Sequence, residues 1–412
     1  MTPAARVQAA IEILEDLLTS GLAADRALRQ YFRNRRYAGS KDRAAVAAHV
    51  FAVYRGRAHH AFRIGSKEPR ALMIASLLAE GEDVHALFSG VAHGPSPLCE
   101  AEIQALGAPP SQPPPLWVEA EFPPFLDEEL RQRFGSNLIP EMAAMQHRAP
   151  IDLRVNTLKA DPASVAEALI AQGFAAAPVP YAATGLRIPP GASGLERTKL
   201  FGDGAFEFQD EAAQIACVLA DARPGMRICD LAAGAGGKSL ALAALMENQG
   251  RIVACDIAPG RLAQLGPRAM RAGATIIRTS PAPKGQFDRV LVDAPCSGSG
   301  TWRRQPDQKW RLTPRRLADL ERLQDELLER GAKLLAPGGQ LIYATCSVLS
   351  CENERRIAAF RARNPHFTVI AAASVWNQLP DRPPLTGIGE FFQASPYMTQ
   401  TDGFFTAILT RG

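Results

Sequence analysis

Residues 226–256 read MRICDLAAGAGGKSLALAALMENQGRIVACD. An apolar run, MRICDL, is followed by a glycine-rich turn, a helical segment over Ser239–Glu247 and a second apolar run, RIVACD. Strand, turn, helix, strand is a parallel crossover unit, and parallel strands buried on both faces read as continuous apolar runs. The pattern then repeats. A helix is predicted over Gly260–Ala272, a third strand at ATIIRT, and a fourth at RVLVDA, Arg289–Ala294. Thr313 and Pro314 form a cap and first-turn pair that opens a long helix ending near Ala336, with Pro337-Gly338-Gly339 as its stop. QLIYAT is a fifth strand, and FFTAIL, Phe404–Leu409, closes the chain. Residues 211–412 therefore predict an α/β domain, a parallel sheet covered by helices.

Upstream the texture changes. Residues 147–210 predict a small α+β module: IDLRVNTLK as a strand, Pro162–Gly173 as a helix, and strands at Leu186–Ile188 and Ala205–Phe208. GAPPSQPPP, Gly107–Pro115, excludes a helix interior, because proline lacks a backbone donor and fixes φ. It opens a linker with two short connecting helices over 107–146. Residues 1–106 read as helical, with Ile11, Ile13, Leu14, Leu17 and Leu18 at helix-like spacing. Arg26, Arg29, Arg33 and Arg36 recur every three or four residues along one face.

The turn after the first strand runs Ala232, Ala233, Gly234, Ala235, Gly236, Gly237, Lys238. Glycines there let the backbone approach a ligand, and the next helix presents free N–H groups. A tight structural turn is the alternative. Asp256 ends the second strand, 22 residues after Gly234, where an acid reaches ribose hydroxyls. The two together favour a nucleoside-containing cofactor. The turn is neither GxGxxG nor GxxxxGKS, which disfavours a dinucleotide and a phosphate loop. S-adenosylmethionine, with a ribose and no phosphate, fits.

The fourth strand ends in VDAPCSGSG, placing Asp293 and Cys296 at its carboxyl edge; the fifth ends in YATCS, placing Cys346 at its own. Ligands of open α/β sheets bind at that edge, and neighbouring strands are about 5 Å apart. Each cysteine alone reads as buried filler; the pair points to chemistry. Methylation of a pyrimidine at carbon 5 needs a thiol, because that carbon is too weak a nucleophile to attack a methyl sulfonium. A thiolate adding to carbon 6 makes carbon 5 enamine-like, and covalent catalysis splits one hard step into easier ones. Asp293 is placed to hold or protonate the base ring.

LRVNTLK (153–159), FEFQDEAAQ (206–214), DLAAGAGGK (230–238), FDRVLVDAPCSGSGTWRRQPDQKW (287–310), LLAPGGQLIYATCSVLSCEN (334–353) and TDGFF (401–405) together resemble the RsmB/NOP (Sun-type) RNA 5-methylcytosine methyltransferases. The resemblance runs from about Leu116 to the end. It implies a Rossmann-like class I methyltransferase domain, an RRM-like module over 147–210 and, more loosely, a NusB-like RNA-binding domain over 1–106. It implies Cys346 as nucleophile and Cys296 in product release. It assigns the cofactor turn to Ala232–Lys238, ribose binding to Asp256, a base and cofactor role to Asp293, and a place near the base pocket to Lys309. Two departures stand out. Ala235 occupies a position where the family carries proline. TSPAPKGQFD (279–288) lacks the family's acid for the adenine end, Asp288 falling too late; one lost charge-assisted hydrogen bond costs about 1.5–3 kcal/mol.

The chain has 412 residues, 47% hydrophobic and 21% charged, a globular composition. No apolar run of ~18 residues excludes itself from solvent as a membrane span would, and MTPAARVQAAIEILEDLL does not read as a secretory signal. Seven scattered cysteines form neither a disulfide framework nor a zinc motif, which suits a reducing cytoplasm. Residues 1–70 carry 13 Lys/Arg against 6 Asp/Glu, although the whole chain is only +4. A basic front suits a polyanion, and a solvated helical surface is the alternative. Arg303 and Arg304 are further candidate phosphate contacts, and Trp302 and Trp310 either stack on a base or pack under a loop. The expected partner is RNA, with ribosomal RNA favoured, no membrane, no metal, and a monomer. His59-His60 reads as a solvated helix end. The competing readings are a non-catalytic RNA-binding or ribosome-assembly factor that kept the fold, and a DNA cytosine methyltransferase, which would use only the PC-type cysteine.

Overall fold

The computed structural model describes residues 1–35, 37–91, 93–108, 110–380 and 382–411. The chain forms two compact units: Met1–Gln146 with Arg304–Thr313, and His147–Arg303 with Pro314–Gly412. The expected segment 107–146 thus belongs with 1–106. The expected 147–210 module belongs with the α/β domain.

The first unit is helical. Thr2 caps the helix Pro3–Ser20 by accepting from the Ala5 amide, proline sits in its first turn, and Gly21 ends it in the left-handed region. Val7, Ile11, Leu14 and Leu17 face a core shared with Val46 and Val50 of Ser40–Arg55 and Met73 and Leu77 of Pro69–Ala79. Arg26, Arg29 and Arg33 are exposed on Ala24–Arg33; Arg36 and Pro109 lie outside the described residues. The helix Pro306–Arg311, far away in sequence, joins this unit. There Asp307 accepts from the Ala24 amide at 3.1 Å, and the Trp310 indole donates to the Tyr54 carbonyl at 2.8 Å. His60 is buried, not solvated as its pairing with His59 suggested, and burial lowers its imidazole to a pKa of about 4.

The second unit holds two sheets. β1 (Ile151–Val155), β2 (Ala177–Pro178), β3 (Gly185–Ile188) and β4 (Phe206–Phe208) form an antiparallel sheet in the order β2-β3-β1-β4. Val165 and Leu169 of the helix Pro162–Ala171 pack on its apolar residues Leu153, Leu186 and Phe206. The larger sheet comprises β5 (Arg227–Asp230), β6 (Arg251–Ala254), β7 (Ile277–Thr279), β8 (Phe287–Asp293), β9 (Leu335–Thr345), β10 (Phe367–Ile370), β11 (Phe392–Ala394) and β12 (Phe404–Arg411). Its order is β10-β12-β9-β8-β5-β6-β7, with β11 also on β12. Both faces are buried, so apolar runs alternate between two cores. Cys229, Val290, Val292, Leu341 and Tyr343 face one; Ile228, Leu291 and Ile342 face the other.

Three expectations change. The sheet is mixed, because β12 runs antiparallel to both β9 and β10. The helix predicted over Gly260–Ala272 is two, Pro259–Leu262 and Leu265–Ala272. Pro337-Gly338-Gly339 lies inside β9 as a bulge, where pairing with β8 jumps from Phe287↔Leu335 to Arg289↔Gln340. The long helix therefore ends earlier, at Lys333. No helix among the described residues is long and apolar enough to cross a membrane.

Candidate active site

β8 and β9 are parallel neighbours, and Asp293 pairs with Ala344 at their carboxyl ends. The ladder extends one step further, where the Ala294 amide donates to the Ala344 carbonyl at 2.8 Å. Cys296 and Cys346 leave these ends on adjacent loops, and their sulfurs lie 3.4 Å apart. Both are half-buried. The Cys296 thiol is held well above its ordinary range, first by its hydrogen bond with Cys346 and then by burial. Cys296 is therefore the thiol that burial and its neighbour bias toward keeping a proton, and either sulfur can donate across the contact.

Glu352 locks the two loops together. Fully buried, it accepts from the Ser297 amide at 2.8 Å, the Ser347 hydroxyl at 2.6 Å, Gln324 Nε2 at 3.0 Å and the Ser297 hydroxyl. Burial raises its carboxyl. A second lock joins three more motifs: Arg303 Nε donates to Asp402 at 2.6 Å, and the Asp402 amide donates to Asp210 at 3.1 Å. Arg303 is thus buried in ion pairs and is not a phosphate contact. Trp302, 1% exposed, is a packing residue and not a stacking platform.

Lys238 meets this cluster from the first turn. Its ammonium lies 2.6 Å from Asp293 and 5.2 Å from the Phe404 ring centre. Burial alone would depress the amine; Asp293, with Cys217 and Cys346 nearby, outweighs burial and raises it. A fixed cation, a carboxylate and two thiols thus cluster at the carboxyl ends of neighbouring strands. The turn that supplies Lys238 is built on two left-handed glycines, Gly234 at φ 55° and Gly236 at φ 84°. A Cβ on Gly236 would lie 2.1 Å from Leu265 Cδ1. Ala235, in the family's proline position, is held instead by Arg268, which donates to its carbonyl at 2.7 Å.

The residues of this turn fit a nucleoside-bearing methyl donor. Gly237 begins the helix Gly237–Leu245, and a Cβ there would meet nothing within 4 Å, leaving open space over free amides. Asp256 accepts from the Gly234 and Ala258 amides, each at 2.7 Å; carboxylate oxygens take two donors each, so ribose hydroxyls still find acceptors. Asp230, at the end of β5, accepts from the Ser239 hydroxyl at 2.6 Å through one oxygen, while the other is buried without a partner. Asp288, by contrast, is taken up by the Arg227 amide at 2.7 Å.

Sequence reasoning passed over Asp210, Asp230, Glu352 and Asp402. Each lies within a quoted motif, which was the available signal. Lys309 belongs to the first unit, on Pro306–Arg311. There burial, offset by Glu121, lowers its amine to about 8. Cys217, Cys229 and Cys255 are buried core residues, and Cys351 is buried as well.

Residues 216–410 match the family described as 16S rRNA methyltransferase RsmB/F, and residues 122–192 match the RsmF/B-like ferredoxin-like domain. The chain is 31% identical over 408 residues to ribosomal RNA small subunit methyltransferase B of Xanthomonas campestris, covering 90% of this chain and 89% of that one. It is 32% identical over 301 residues to probable ribosomal RNA small subunit methyltransferase B of Bacillus subtilis. That match covers 70% of this chain but only 66% of the Bacillus protein, just under two thirds. Among solved structures, a methyltransferase homologue protein from Pyrococcus horikoshii superposes with a TM-score of 0.61 at 28% identity, over 72% of this chain and 97% of that one. With its fold, its strand-end cysteines and a near full-length relative in agreement, the chain belongs to the RsmB/F family of methyltransferases.

Proposed function

We propose that this chain methylates carbon 5 of a cytosine in small-subunit ribosomal RNA, with S-adenosylmethionine as cofactor and a covalent cysteine adduct as intermediate. The observation that carries the reading is the 3.4 Å approach of Cys296 and Cys346 beside the Lys238–Asp293 pair. O- or N-methylation needs neither thiol.

Cys346 acts as the nucleophile. Its thiolate forms a bond to carbon 6 of the cytosine, and the ring's electron pair moves to carbon 5. The bound cofactor supplies an electrophilic methyl group to that carbon. The carbon-5 proton then leaves to a base, and the sulfur–carbon 6 bond breaks to restore the aromatic ring. Cys296, the thiol biased toward keeping its proton, hands it to the departing Cys346 sulfur 3.4 Å away. Asp293 holds the polar edge of the base, and Lys238 fixes Asp293. Asp256 receives the ribose, and the Ala232–Lys238 turn lines the cofactor. Lys309, from the first unit, is retained as a proposed base-pocket residue on the family resemblance alone.

Small-subunit RNA from cells lacking the protein, incubated with enzyme and radiolabelled S-adenosylmethionine, tests this. Label is expected in 5-methylcytosine, absent with Cys346→Ala. Cys296→Ala is expected to accumulate a covalent protein–RNA adduct on denaturing gels. Label that survives Cys346→Ala and vanishes with Cys296→Ala would overturn the assignment of the two cysteines. No label from any RNA fraction would overturn the methylation itself.

A further inference from the structure

Away from the strand ends, the first unit carries an open groove of about 870 Å3. That is within the span of ligand sites, about 300–1,000 Å3. Its walls are aromatic, from Phe62, Trp117 and Trp310, and its charged lining residues are Arg57 and Lys67, with no acid among them. Trp310 is fixed by the hydrogen bond from its indole to the Tyr54 carbonyl. The Arg57 guanidinium lies 5.6 Å from the Trp310 ring centre and 5.9 Å from that of Tyr54. Among the described residues Arg57 has no carboxylate within ion-pair distance. The Glu121 carboxylate acts on Arg57 through space only, its oxygens accepting from the Ala58 and His59 amides at 3.0 and 2.7 Å. A half-buried guanidinium beside aromatic rings, without a direct ion pair, is an arrangement that keeps donors for a further anion. It is the arrangement that takes an anionic ligand with flat faces.

We propose that this groove binds an unpaired stretch of RNA, with a base stacked against Trp117 and Trp310 and the adjoining phosphate on Arg57 and Lys67. Aromatic faces with interleaved cations are what single strands require, because every unstacked base offers a ring face and every linkage a charge. A duplex keeps its bases stacked and closed to such walls. The inference rests on the reading that the enzyme's substrate is RNA, and it adds a recruiting site outside the catalytic cleft.

The chain has four tryptophans. Trp302 and Trp376 are both 1% exposed, so a change in intrinsic fluorescence on ligand addition reports on Trp117 and Trp310. The full-length protein is titrated with an eight-nucleotide single-stranded RNA and with the same sequence as a duplex. The single strand is expected to quench emission saturably and the duplex to bind more weakly. Trp117→Ala and Arg57→Ala are each expected to weaken single-strand binding about tenfold, and the milder Lys67→Ala, an exposed change, in the same direction. Unchanged emission at saturating RNA, or binding by Trp117→Ala and Lys67→Ala as tight as wild type, would overturn the site. Self-association abolished by Trp117→Ala, without any RNA response, would assign the groove to a second copy of the chain. Methyl transfer is scored separately. Methylation without quenching sinks the groove alone, and quenching without methylation sinks the catalytic reading while keeping the groove.

Discussion

Asp230 holds its proton to higher pH than an ordinary aspartate does. It is fully buried, and burial pushes its carboxyl up to about 7, against the opposing hydrogen bond from Ser239. In an unfolded chain an aspartate titrates near 3.9. Between those values the folded state holds a proton that the unfolded chain has released. Its contribution to stability is fully present below about pH 4 and is lost as pH rises through 7. Asp230→Asn keeps an acceptor for Ser239 and removes the titration. The variant is expected to gain on the order of 2–4 kcal/mol over wild type at pH 8 and little at pH 4, read by urea unfolding at both. Cys296 and Cys346 were legible in the sequence, since each ends an apolar run with its own signature. Asp230 and Glu352 were not, because their meaning lies in partners 5 to 55 positions away, brought together only by folding.

The first βα turn separates shape from binding. Gly236 sits at φ 84° with Leu265 against it, so Gly236→Ala is expected to cost about 1–3 kcal/mol. Gly237 has ordinary backbone and open space over it. Gly237→Ala is therefore expected to leave stability within about 1 kcal/mol while weakening cofactor binding at least tenfold. Denaturation and calorimetry on the two variants check both halves. Equal cofactor affinity for Gly237→Ala and wild type would place the donor elsewhere. The parallel core strands were readable because burial on both faces leaves an unbroken apolar run. β10 and β11 were not, because short edge strands with intermediate or exposed residues in FTVI and FQA leave no unbroken buried run. The Pro337-Gly338-Gly339 bulge was read as a stop, because the same residues end helices and kink strands.

The two units are threaded through one another in sequence. Residues 304–313 leave the methyltransferase unit and complete the helical one. Without them the Ala24 amide loses Asp307, the Tyr54 carbonyl loses Trp310, and Glu121 loses Lys309 as its buried counter-charge. A fragment of residues 1–146 is expected to melt well below the same unit in the whole protein. A peptide of residues 304–313 added in trans is expected to raise its melting temperature. Within the intact chain, Lys309→Met removes the largest opposite charge facing buried Glu121 and is expected to cost up to about 3–5 kcal/mol, by thermal unfolding followed at the helical signal. No periodicity announced this exchange, since a six-residue helix carries the same signature wherever it docks. The division into a helical front and an α/β back was legible from composition and prolines.

That insertion also sets a clock. A ribosome adds about 5–20 residues per second, so roughly ten to thirty seconds separate residue 146 from residue 313. Throughout that interval the emerged helices have an unfilled notch where Pro306–Arg311 belongs. The front of this protein is made first yet is finished only after most of the back has been translated, and a nascent chain stalled in between would be a client for chaperones.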